Sequence, residues 1–151
     1  MEPRRADAGN ETRRIVYATL SHEGGGKTYN LLSGPRPLVL VNFDDKSFSF
    51  YEWQDRFDMN DVELYDFAGN IDNPEKTFYE AKRVIGEAMR RPGGMLGIDN
   101  GKGLYDLAIA AFRDPNTKKG ALGYTSVNRE MASLFSLFYR PILDKTPVPS
   151  V

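Results

Sequence analysis

Hydrophobic residues in this chain are grouped into short apolar runs that are separated by longer segments with helical spacing. The runs at residues 15–20, 38–43 and 95–99 are typical of strands buried on both faces of a sheet. Alternating apolar and polar residues at 62–67 predict a fourth strand. Each run is short and is followed by turn-forming residues, so the chain is divided into many small elements.

Three longer segments repeat apolar residues at the period of an α-helix. The first begins at Asn73-Pro74-Glu75, which combines a capping side chain, a proline in the first turn and an acid. A short helix is also expected from about Lys27. The apolar positions of the three helices are Phe78, Ala81, Ile85, Ala88 and Met89; Leu104, Leu107, Ala108, Ala111 and Phe112; and Val127, Met131, Leu134, Phe135 and Phe138. Strands that alternate with helices predict an α/β fold, with a mostly parallel sheet and helices on both of its faces.

The length of 151 residues predicts one domain. We expect this domain at residues 13–140, between a disordered polar tail at 1–12 and a proline-rich tail at 141–151. The chain has 40% hydrophobic and 27% charged residues, no run long enough to span a membrane and no cysteine. The N-terminal residues lack the apolar core of a signal peptide, so we expect a cytoplasmic protein.

Charge and histidine content narrow the functions that the chain can have. The net charge is −1, so any binding to nucleic acid requires a local basic patch. His22 is the only histidine, which excludes a metal site built from several histidines. His22 follows the first predicted strand, where it either contacts a phosphate or is a solvent-exposed loop residue.

The stretch Ser21-His22-Glu23-Gly24-Gly25-Gly26-Lys27-Thr28 lies between a predicted strand and a predicted helix. Glycines allow a backbone to approach an anion closely, and the first N–H groups of the helix favour a phosphate. In this phosphate-loop pattern the lysine reaches the β- and γ-phosphates and the threonine hydroxyl binds Mg²⁺. Ser21 replaces the first glycine of the full pattern, and Glu23 adds a negative charge. The alternative interpretation is a flexible glycine turn that ends in Lys-Thr.

Two other predicted strands end in carboxylates. Asp99 closes the run at 95–99, and an aspartate at this place in a phosphate-loop protein holds Mg²⁺ directly or through water. Asp44 and Asp45 follow the run at 38–43, at the strand end where open parallel sheets place their ligands. An acidic turn is the alternative for this pair. The aromatic stretch at 47–60 is either a cover for the sheet or a surface on which bases or a partner stack.

Together these stretches resemble the phage nucleotide-binding proteins, which are RecA-like phosphate-loop ATPases of the single-strand annealing and recombination group. The resemblance covers residues 14–140 and rests on the motifs at 24–28, 38–44 and 96–107 and on the order of the elements. It implies an ATPase that binds ATP and Mg²⁺, acts on single-stranded DNA and forms homo-oligomers. It also implies the cytoplasm of a bacterial host as the location.

The resemblance assigns roles to individual residues. Lys27 contacts phosphate, Thr28 and Asp99 serve Mg²⁺, and Asp44 is the nearest match to the carboxylate that activates water, where such proteins usually have glutamate. The nucleotide-binding residues by position are Gly24, Gly25, Gly26, Lys27, Thr28 and Tyr29. Lys118 and Lys119 fall in the loop at 113–123, which either contacts DNA or is a solvated loop with two lysines.

The chain also departs from the RecA-like pattern. No convincing apolar strand follows the last predicted helix, so we expect either a fold truncated or divergent before its later strands, or direct pairing of the two motif strands. The alternative function is a nucleotide-binding module that does not hydrolyse ATP and acts in assembly or regulation. A small-molecule kinase is a third hypothesis, and the lack of an arginine-rich lid after Asp99 disfavours it.

Overall fold

The structure is a computed structural model that describes residues 25–44, 52–69, 71–91, 93–117, 120 and 122–139. Several predictions lie outside these residues. They are the strand at 15–20, the tails at 1–12 and 141–151, His22, Gly24, Asp45 and the two lysines Lys118 and Lys119.

The described part of the chain contains a three-stranded parallel sheet. Its strands are β1 (Leu38–Asn42), β2 (Val62–Asp66) and β3 (Met95–Asp99), and β1 lies in the centre. Asn42 is in register with Asp66 on one side and with Asp99 on the other. All three strands therefore end at the same edge of the sheet, and each ends in a polar residue.

Four α-helices with described bounds accompany the sheet, and residues 52–53 are helical as well. The four helices are α1 (Lys27–Leu32), α2 (Pro74–Ala88), α3 (Gly101–Phe112) and α4 (Thr125–Phe135). The predicted start of α2 is confirmed, because the side chain of Asn73 accepts a hydrogen bond of 3.0 Å from the backbone N–H of Lys76. The last predicted helix ends earlier than expected. Its final apolar residue, Phe138, lies in a 3₁₀ turn at Ser136–Tyr139 and still packs against the core.

The sheet is covered on both faces by hydrophobic packing, and the predicted α/β class is confirmed. On one face, Val39 and Val41 of β1 pack with α2, α3 and α4, and Phe78, Ile85 and Leu104 are among the buried residues there. On the other face, Leu38 and Leu40 pack with Leu32 of α1. Every residue of β1 is buried, as the largely apolar run at 38–43 predicted.

Part of the aromatic stretch covers the second face of the sheet. Trp53 and Phe57 pack against the cluster formed by Leu32, Leu38 and Leu40. This confirms the cover interpretation for these two rings, whereas the aromatic residues at 48, 50 and 51 lie outside the described residues. Of the helices described, none combines the length and the apolar character needed to cross a membrane.

Candidate functional site

The polar ends of the three strands form one edge of the sheet, which we call the carboxyl edge: Asn42, Asp66 and Asp99 with the residues that follow them. Helix α3 begins at this edge two residues after Asp99. Open parallel sheets place their ligands at this edge, so a ligand site is expected here.

Thr28 and Asp99 meet at the carboxyl edge. The hydroxyl of Thr28 donates a hydrogen bond of 2.7 Å to the Oδ2 atom of Asp99, across 71 positions of sequence. Asp99 is a buried carboxylate, with 6% of its surface exposed, and Thr28 is half-buried. The two residues to which the sequence assigned Mg²⁺ are therefore in direct contact.

The turn before α1 has the backbone shape that a glycine allows. Gly26 caps α1 in the left-handed region, with φ of 76° and ψ of 19°, where a side chain would be strained. Gly25 and Gly26 are exposed, and Lys27 is half-buried. Helix α1 comes close to β3 because Gly97 has no side chain, and a β-carbon built there would lie 3.2 Å from Leu31 Cδ2. This close approach places Thr28 within reach of Asp99.

Asp44 lies in the loop after β1 and is tied to the end of β3. The Nδ2 atom of Asn100 donates a hydrogen bond of 3.3 Å to Asp44 Oδ2. The backbone N–H of Phe43 donates to the carbonyl of Asp99 at 2.5 Å, which extends the β1–β3 pairing by one residue. The structure thus places Asp44, the carboxylate expected to orient water, in contact with Asn100, the residue that follows Asp99.

Asn42 and Asp66 belong to the same edge, although the sequence reasoning did not select them. Asn42 is 1% exposed, and its Nδ2 atom donates a 3.0 Å hydrogen bond to Asp66 Oδ1. The available signal was that each is a polar residue one position before the end of a predicted strand, and parallel pairing brings such strand ends to one edge.

Helix α3 packs tightly onto the loop that carries Asp44. A β-carbon at Gly103 would lie 2.4 Å from the carbonyl oxygen of Phe43, which is closer than atoms can approach. The side chain of Asn100 caps the helix, because its Oδ1 atom accepts a hydrogen bond of 2.7 Å from the backbone N–H of Gly103. Because glycine has no β-carbon, it is the only residue that allows α3 and the loop to lie this close together.

Gly103→Ala is expected to destabilise the protein by about 1–3 kcal/mol, because the new methyl group overpacks against Phe43. Gly101→Ala is the matched control in the same helical turn. A β-carbon at Gly101 meets no atom within 4 Å, so alanine there should stabilise the helix by up to about 1 kcal/mol. Urea denaturation of both variants measures the difference, and equal effects would contradict the close packing.

Tyr29, which the resemblance assigned to nucleotide binding, lies in α1. Tyr29 is half-exposed on α1 and contacts the rings of Trp53 and Phe57, with centroids 5.9 Å and 5.1 Å away.

In the loop after α3, Asp114 accepts hydrogen bonds from the Thr117 hydroxyl and the Asn116 backbone N–H, which lower the pKa of its carboxyl. The loop follows the 12 residues of α3, which rise about 18 Å from the carboxyl edge.

The donor atoms at the carboxyl edge fit a magnesium ion. Thr28 and Asp99 present oxygen atoms, which are the ligands that Mg²⁺ prefers. Within the described ranges, no group of three histidine, cysteine or acidic side chains is arranged to hold a metal ion. Mg²⁺ usually keeps several waters and binds through one or two protein groups plus phosphate oxygens, so a small protein donor set is what such a site requires.

No protein-family model, no curated protein and no solved structure matches this chain. The class that the structure itself defines is an α/β protein with a three-stranded parallel sheet covered by helices.

Proposed function

We propose that this chain binds Mg²⁺-ATP at the carboxyl edge and hydrolyses it, as a phosphate-loop protein of RecA-like type. The observation that carries the proposal is the 2.7 Å hydrogen bond between the Thr28 hydroxyl and the Asp99 carboxylate. It joins the last residue of the glycine-rich motif to the aspartate that ends an apolar strand. Each motif is common by itself, but this contact brings the two together. Phosphate-loop proteins use such a pair of motifs to bind nucleotide and Mg²⁺.

Each residue of the constellation has a chemical task under this proposal. Lys27 places its positive charge on the β- and γ-phosphates, and Gly25 and Gly26 supply backbone N–H groups without a side chain in the way. Thr28 and Asp99 hold Mg²⁺, which when bound neutralises negative charge on the phosphate oxygens.

Asp44 orients the water molecule that attacks the γ-phosphate. A carboxylate accepts several hydrogen bonds at once, so the contact with Asn100 is compatible with a further hydrogen bond from water. Catalysis of this reaction consists mainly of positioning and electrostatic stabilisation, and both require the fixed geometry that the carboxyl edge provides.

Single-stranded DNA is the proposed macromolecular partner, and a homo-oligomer is the proposed assembly. The support is the sequence resemblance, together with the position of residues 113–117, the described start of the predicted loop, at the end of α3 away from the carboxyl edge. DNA bound there would act on the nucleotide site through α3, whose first turn contacts the loop of Asp44.

The test is ATP turnover by the full chain with Mg²⁺, with EDTA in place of Mg²⁺, and with added single-stranded DNA. We expect phosphate release that requires Mg²⁺ and increases with DNA. Nucleotide binding without turnover under all three conditions would reject hydrolysis, and turnover that DNA leaves unchanged would reject the proposed partner.

A further inference from the structure

Asn42 makes an unusual set of contacts for a side chain at the end of a buried strand. Its Nδ2 atom donates to Asp66 Oδ1 at 3.0 Å and to the backbone carbonyl of Asp44 at 3.0 Å. Its Oδ1 atom accepts from the backbone N–H of Asp44 at 3.1 Å. One side-chain amide thus holds both polar backbone groups of Asp44, and we call this set of three hydrogen bonds the Asn42 clasp.

We propose that Asn42 is a positioning residue for ATP hydrolysis, which fixes Asp44 through the clasp and is itself oriented by Asp66. This inference rests on the proposed function. It adds two residues, Asn42 and Asp66, that act on the reaction through Asp44 and touch neither nucleotide nor metal.

The orientation of the Asn42 amide is set by the chemistry of its neighbours. An ionised carboxylate only accepts hydrogen bonds, so the atom that faces Asp66 must be the NH₂ group. The oxygen of the amide then faces the N–H of Asp44, which only donates. A rotated amide would place oxygen against the Asp66 carboxylate, so Asp66 selects the one orientation in which the clasp closes.

The clasp constrains Asp44 where the reaction needs it. Asn42 is almost fully buried at the end of the central strand, so its side chain has little freedom to move. The backbone of Asp44 is fixed by Asn42, and the carboxylate is held by Asn100. A misplacement of about 1 Å in such a group lowers turnover by roughly a hundredfold.

A pair of variants tests this role by removing the side-chain donor at position 42 or by keeping the acceptor at position 66. Asn42→Asp retains the shape of the side chain but places oxygen against the Asp66 carboxylate and the carbonyl of Asp44, so the clasp opens. Asp66→Asn is the matched control, because its side-chain oxygen can still accept from Asn42 Nδ2 and from the backbone N–H of Ala68.

Three readouts are compared for wild type and both variants. The first is the hydrogen-exchange rate of the Asp44 amide in nucleotide-free protein, which we expect to rise at least about tenfold in Asn42→Asp and to stay within about threefold of the wild-type value in Asp66→Asn. The second is kcat for ATP, which should fall on the order of a hundredfold in Asn42→Asp and stay within about threefold of wild type in Asp66→Asn. The third is the Kd for Mg²⁺-ATP, which should change less than about threefold.

The results separate the inference from the proposed function. Wild-type protein that does not bind Mg²⁺-ATP overturns the proposed function and the positioning role with it. Wild-type binding together with an unchanged kcat in Asn42→Asp, or an Asp66→Asn variant that loses as much amide protection and kcat as Asn42→Asp, overturns the positioning role alone. A loss of binding as large as the loss of kcat shows a general structural role and also overturns it.

Discussion

Replacing Thr28 with valine is expected to lower Mg²⁺-dependent ATP turnover by at least about a thousandfold, which corresponds to about 4 kcal/mol of transition-state stabilisation. Valine matches the shape of threonine but has no hydroxyl, so it removes the oxygen that faces Asp99 at 2.7 Å. The buried Asp99 carboxylate also loses a hydrogen bond, which should lower the free energy of unfolding by about 1.5–3 kcal/mol. Steady-state phosphate release over a range of Mg²⁺ concentrations measures the effect on turnover.

Thr28→Ser is the matched control, because serine keeps the hydroxyl and loses only the methyl group. We expect the serine variant to retain most of the turnover and its dependence on Mg²⁺. If valine and serine variants were equally active, the hydroxyl would have no part in metal binding. Circular dichroism at the assay temperature checks that both variants are folded.

Phe78→Ala is expected to destabilise the protein by about 3–5 kcal/mol, because it leaves a cavity in the centre of the larger core. Phe78 is fully buried on α2 and meets the ring of Phe112 edge-on, with centroids 5.1 Å apart. For a domain of this length the loss corresponds to a fall in Tm on the order of 10 °C. Thermal or urea unfolding measures it.

Phe135→Ala is the control for Phe78→Ala, since it removes the same side chain from α4 at a position that is 46% exposed. We expect it to cost less than about 1 kcal/mol, in the range of ordinary surface substitutions. Similar losses for the two variants would mean that the packing of α2 against α3 is not the main source of stability.

The strands and helices could be predicted from the sequence because local patterns of residues specify them. The apolar run before Asn42 indicated a strand buried on both faces, and all five residues of β1 are buried. The capping side chain of Asn73 marked the start of α2 to within one residue. The strand before the glycine turn, the RecA-like topology and the DNA contacts of Lys118 and Lys119 stay predictions.

The Asn42 clasp could not be predicted from the sequence, because it depends on how strands that are distant in the chain pair. Asn42 and Asp66 are 24 positions apart, and they meet only in the observed register of β1 and β2. A shift of one residue would turn Asp66 to the opposite face of the sheet. Sequence patterns indicate that a strand ends in a polar residue, but they do not specify which polar residues become neighbours.

The contact at Gly103 was missed for a related reason. Glycine near the start of a helix is unremarkable in a sequence, because exposed and crowded positions look alike. In the structure Gly101 is open to solvent, whereas Gly103 touches the carbonyl of Phe43. The difference arises from how α3 packs on the loop after β1, which is a property of the assembled fold.

The most direct test of the phosphate site is thermal unfolding with and without Mg²⁺-ATP, for wild type, Lys27→Ala and the control Lys102→Ala. Lys102 is an exposed lysine near the same edge whose amine pairs with Asp106, so its loss should not affect nucleotide binding. Ligand at about a hundred times its Kd should stabilise wild type and Lys102→Ala by about 2.7 kcal/mol, a Tm increase of roughly 5–10 °C. We predict that Lys27→Ala shows little or no increase. A cooperatively folded wild type whose Tm does not change with Mg²⁺-ATP would contradict the nucleotide site at the carboxyl edge.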